Sequence, residues 1–82
     1  MLLIKSAQER VASFLLEMTE RAPTSNAIEL PMSRQDIADY LGLTIETVSR
    51  TLTSLESAAT IEVPTSRHIV LRNRMALHRM NG

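Results

Sequence analysis

Apolar residues recur at spacings of three and four at the start of the chain: Ile4, Ala7, Val11, Phe14, Leu15 and Met18. That period predicts an amphipathic helix over residues 4–21, with Lys5, Gln8, Glu9, Arg10, Glu17 and Glu20 on its polar face. Glu17 and Arg21 stand four apart in the favoured order. Pro23 stops the helix, and Thr24-Ser25-Asn26 reads as a turn. From Ala27 to Met32 the period drops to two, with Ile28, Leu30 and Met32 on one side. This predicts a short strand, which Pro31 confines to an edge or an end. The helical period returns at Ile37, Ala38 and Leu41, behind a capping Ser33 with Asp36 three residues on. Gly42 breaks it and supplies the freedom for a positive φ. Leu43 follows as an apolar plug. Thr44 occupies an N-cap position, its hydroxyl placed to accept an N–H near Thr47. A further helical pattern carries Val48, Leu52 and Leu55 on one face. Ala38 is small where these two helices must approach closely.

Beyond Ala58-Ala59-Thr60, Ile61-Glu62-Val63 and His68-Ile69-Val70-Leu71 read as β-strands joined by Pro64-Thr65-Ser66-Arg67, a hairpin over residues 61–71. The strand at Ile28–Leu30 can pair beside it. Asn73–Met80 suits a last short helix, with Met75, Leu77 and Met80 to pack back. The fold class is therefore mainly α with a small antiparallel sheet, a winged helix-turn-helix in one domain, 1–82. The motif spans 33–57 and the hairpin is the wing. The expected core is Val11, Phe14, Leu15, Met18, Ile37, Leu41, Leu43, Val48, Leu52, Leu55 and Ile69.

The face of the second motif helix opposite its apolar stripe carries Glu46, Ser49 and Arg50 in the first two turns. That is where a recognition helix meets base edges in the major groove. Arg pairs with guanine O6 and N7, Glu accepts from cytosine N4, and Ser bonds to several bases. Composition qualifies this picture. Nine basic and nine acidic residues leave a formal charge of zero, whereas nucleic-acid binders are often basic. Yet from Val63 to Gly82 there are four arginines and no acid. A field with one basic end can orient a partner at zero net charge. With no cysteine and two histidines, neither a disulfide nor a metal site is expected. No Ser/His/Asp grouping or Gly-rich phosphate loop suggests an enzyme, and none is expected. No stretch reaches transmembrane length or has the layout of a signal peptide, so a cytoplasmic protein is the expectation.

The run S-R-Q-D-I-A-D-Y-L-G-L-T-I-E-T-V-S-R, from Ser33 to Arg50, resembles the C-terminal DNA-binding domain of the CRP/FNR family of bacterial transcription regulators. The I-V-L-R-N-R ending and the E-R-V-A-S-F-L-L-E-M first helix resemble its FixK-like branch. Ser49 with an apolar Ile45 is the FNR/FixK pattern, where the cyclic-AMP receptor branch has Gly and Arg. The resemblance implies base reading by Glu46, Ser49 and Arg50 on a TTGA-type half-site repeated as an inverted palindrome. It implies phosphate contacts from Ser33, Arg34, Gln35, Thr44 and Thr47, with Thr65, Ser66 and Arg67 at the wing. Two departures stand out. Relatives usually have Gly where Ala59 stands, so this helix is expected to end differently. The wing lacks the usual Gly, so its tip is expected to be longer or less tightly turned.

Relatives carry a sensor β-barrel and a long dimerisation helix that this sequence does not contain. The expectation is an excised domain or a naturally short protein without a cofactor, with Met1–Ile4 as the tail of the lost connection. It is expected to be a monomer in solution and a dimer on a palindromic double-stranded DNA site, with no membrane association and RNA polymerase as a further candidate partner. The alternative is a protein-interaction module that pairs with a full-length regulator.

Overall fold

The computed structural model describes residues 6–20 and 26–80. Its first helix, α1, is Ala7–Thr19. Ser6 is extended and caps it: its Oγ accepts the Glu9 N–H at 3.2 Å, and Glu9 Oε1 accepts the Ser6 N–H at 2.8 Å. This reciprocal pair satisfies two backbone donors at the start of the helix, which opens at Ala7. Met1–Ile4 and Arg21, and with it the Glu17–Arg21 pair, lie outside the described residues. Ala12 and Leu16 are buried as well as the expected stripe. The reason is that the helices Ile45–Ser57 and Arg74–Met80 and the strand Ala27–Glu29 all pack on α1.

The sheet is antiparallel in the order β1-β3-β2, with β1 Ala27–Glu29, β2 Ile61–Thr65 and β3 His68–Leu71. β1 is shorter than the alternation suggested. The Leu30 N–H still donates to the Arg67 carbonyl at 2.7 Å, but Pro31 has no N–H to continue the ladder. Ile28, Leu30, Ile61, Ile69 and Leu71 all face the core.

The wing corrects one expectation. Its tip is short: Thr65 pairs with His68, leaving Ser66-Arg67 as a two-residue turn. Pro64 belongs to β2 rather than to the loop. It is tolerated because β2 is an edge strand and the register slips by a bulge between Glu62 and Thr65. Neither turn residue has a positive φ, so the turn is not of the types that match strand twist unaided. The extra twist of the bulge compensates for this.

The helix-turn-helix pair is α2 Arg34–Leu41 and α3 Ile45–Ser57. Gly42 adopts φ 72° between them. The Leu43 N–H reaches back to the Ala38 carbonyl at 2.8 Å, so the glycine closes α2 with a left-handed turn. Ala38 is fully buried at the helix contact. Leu41 and Leu43, expected in the core, are only half-buried at its margin.

The end of α3 corrects a second expectation. Ala59 adopts the left-handed conformation, φ 61°. Its N–H donates to the Glu56 carbonyl at 3.0 Å and the Thr60 N–H to the Leu55 carbonyl at 2.9 Å. The helix thus ends in the same Schellman turn a glycine would make, with an alanine held in its place. The last helix, α4, is Arg74–Met80, and Asn73 Oδ1 accepts the Ala76 N–H at 3.1 Å. Leu77 is fully buried and Met80 half-buried, but Met75, expected to pack back, is 70% exposed. A helix this short turns one face inward, and Met75 lies off that face.

Candidate nucleic-acid interface

α3 is bedded in the core by Val48, Leu52 and Leu55. A helix anchored along one stripe must show the opposite stripe to solvent, and Glu46, Ser49 and Arg50 are all exposed there. Arg50 Nη2 lies 3.4 Å from Glu46 Oε1, and the two side chains are 74% and 81% exposed. An exposed i, i+4 pair is worth only about 0.3–0.5 kcal/mol. It therefore aligns the two side chains side by side without holding them against a better partner. Ile45, 44% exposed at the first position of α3, adds an apolar group to the same face. The exposure of its neighbours Glu46, Ser49 and Arg50 is legible from spacing.

Thr44 caps α3. Its Oγ1 accepts the Thr47 N–H at 3.1 Å and lies 2.8 Å from Thr47 Oγ1. Thr44 is exposed and Thr47 half-buried, so the positive end of the α3 dipole opens to solvent beside two hydroxyls. Ser33 caps α2 in the same way, accepting the Asp36 N–H at 3.2 Å. Gln35 is exposed, and its Nε2 donates to Asp39 Oδ1 at 3.0 Å. Arg34 is the unusual member. It is half-buried, and its Nη1 is shielded from solvent with no hydrogen-bond partner. Burial lowers the guanidinium's pKa below its ordinary value, though an arginine stays charged. Leaving a buried donor unsatisfied costs about 1–3 kcal/mol.

Thr65, Ser66 and Arg67 are exposed at the wing tip. Arg67 is tied back to the strand before α2: besides its carbonyl's bond from Leu30, its Nη1 donates to the Leu30 carbonyl at 3.4 Å. The wing tip and the approach to α2 are thereby joined across β1 and β3. Among the described residues no helix is long and apolar enough to cross a membrane.

Two helices meeting at a glycine corner, the second exposed along a polar stripe, and a hairpin alongside define a winged helix-turn-helix. The chain matches the Crp-like helix-turn-helix domain over residues 9–80 and belongs to that family. It is 60% identical over an 83-residue alignment to the nitrogen fixation regulation protein FixK of Azorhizobium caulinodans, covering 95% of this chain and 34% of that protein. Against the fumarate and nitrate reduction regulatory protein of Escherichia coli it is 34% identical, covering 95% of this chain and 32% of that one. The solved structure of FixK2 from Bradyrhizobium japonicum superposes with a TM-score of 0.89 at 52% identity, over 95% of this chain and 39% of that one. The chain thus resembles the FixK branch, and it spans about a third of the length of these relatives.

Proposed function

We propose that this chain is the DNA-reading module of a FixK/FNR-type transcription regulator, acting as one winged unit over residues 1–82. α3 enters the major groove, where Glu46, Ser49 and Arg50 read the base edges of a TTGA-type half-site. The observation that carries this reading is the exposed polar stripe on α3, with its side chains in the first two turns and its opposite face anchored in the core. Such anchoring lets a small set of groups be presented at fixed spacing.

Ser33, Arg34, Gln35, Thr44 and Thr47 bind phosphates on either side, through the two helix N-termini. Arg34 adds a positive charge at the start of α2. Thr65, Ser66 and Arg67 touch the backbone from the wing. Two copies occupy an inverted repeat, and the chain alone is a monomer. Contact with RNA polymerase belongs to the regulator that contains this module. Nothing in the family match favours a protein-interaction role over DNA reading.

The test is fluorescence anisotropy on an inverted TTGA repeat and on a scrambled duplex of equal composition, at several salt concentrations. Preference for the repeat is expected, with affinity falling steeply as salt rises, by a log–log slope of about −0.9 per phosphate neutralised. Equal affinity for both duplexes and no salt dependence would sink the proposal.

A further inference from the structure

Among the described residues three large apolar side chains are exposed: Ile45, Met75 and Tyr40. Ile45 belongs to the face of α3 described above, and Met75 stands on α4. Tyr40 is 67% exposed. Its ring leans on Phe14, centroids 6.0 Å apart at 59°. Its hydroxyl is 3.5 Å from Glu17 Oε1. Beside it lies a hollow of about 210 Å³ between α1 and α2. Phe14, Met18 and Ile37 make an apolar wall, Glu17 and Asp36 bring two carboxylates, and among the described residues no basic one lines the hollow.

We infer that this hollow is a docking point for a partner protein, taking a cationic side chain flanked by aliphatic ones. Size argues for a side chain. Small-molecule sites run to about 300–1,000 Å³, and this hollow holds roughly one anchor residue of the kind that dominates an interface. Charge argues for a cation. Two carboxylates beside an exposed aromatic ring offer an arginine both a salt bridge and a π-face. They also repel phosphate, so nucleic acid is not the occupant. No residue of α3 lines the hollow. Asp36 shares the first turn of α2 with Ser33, Arg34 and Gln35, so Glu17 on α1 is the position that separates the docking point from the DNA-reading proposal.

Tyr40 is the sole tyrosine and there is no tryptophan, so tyrosine emission reports on this spot. The probe is a synthetic amphipathic peptide with arginine and leucine four residues apart, free of acids and aromatics. Saturable change in Tyr40 emission is expected. The double variant Glu17→Gln/Asp36→Asn should weaken it roughly tenfold, as loss of charge partners does at interfaces. Replacing the peptide's arginines by glutamine should do the same. Far-UV circular dichroism checks folding, and Glu17→Gln alone serves if the double variant unfolds. Operator binding by Glu17→Gln should be unchanged. Equal peptide affinity for the charge variants and the parent would overturn the inference. So would an equal response to spermidine, or a Tyr40 signal that changes with protein concentration alone, which would assign the hollow to a second copy.

Discussion

Ala59 offers the sharpest test of the backbone argument. The perturbation is Ala59→Gly at an exposed residue held at φ 61°. In the folded state the substitution removes the clash between Cβ and backbone that burdens a left-handed residue, about 1–2 kcal/mol. In the unfolded state glycine gains freedom, which takes back about 0.4–1 kcal/mol. The net expectation is a stabilisation of about 0–1.6 kcal/mol, near 0.8 kcal/mol at mid-range. For a domain of this size the mid-range value raises Tm by about 3–6 °C. The neighbour supplies the control. Ala58 has φ −82° and ψ 3°, an ordinary conformation for any residue. Ala58→Gly therefore suffers the unfolded-state cost alone and should lose about 0.4–1 kcal/mol. Because both sites are exposed and share the unfolded-state term, the difference between the variants isolates the strain. Urea denaturation followed by circular dichroism measures both. If Ala59→Gly loses as much stability as Ala58→Gly, the alanine is not strained and the reasoning is wrong.

Three other substitutions probe separate parts of the molecule. Arg50→Ala should weaken operator binding by about 1–3 kcal/mol and relax preference at one base pair, read by anisotropy on a panel of single-base operator variants. Leu77→Ala deletes a fully buried side chain and should cost about 2–5 kcal/mol, seen as a lower midpoint in urea. Ser6→Ala breaks the capping box on α1 and should cost about 0.5–2 kcal/mol, again by denaturation, with operator specificity intact.

The helices and their order were legible because each helix buries one stripe, and Val11, Leu15, Val48, Leu52 and Leu55 all occupy the core that their spacing implied. What escaped sequence reasoning depends on neighbours in space. Leu16 is buried because α4 and β1 cover a further side of α1. Pro64 reads as a strand-breaker until β2 proves to be an edge strand with a bulge. Ala59 reads as a reason for a different helix end, yet the hydrogen bonds from Thr60 and Ala59 to α3 hold it in the turn. Of the candidate interface, the exposure of Glu46, Ser49 and Arg50 followed from the stripe opposite Val48 and Leu52. The tie from Arg67 to Leu30 is a contact between segments far apart in sequence, and the burial of Arg34 Nη1 depends on packing that no local pattern encodes.

The packing of α4 on α1 bears on how such a chain is made. Gln8 Nε2 meets Met80 Sδ at 3.4 Å across 72 positions of sequence, and Leu77 is fully buried in the shared core. During synthesis one side of α1 therefore waits uncovered until nearly the whole domain has left the ribosome. Its helices can form early, since their contacts are local, but the core cannot close by halves. A ribosome stalled before residue 77 would hold a chain with most of its helices and an open flank, a natural target for chaperones.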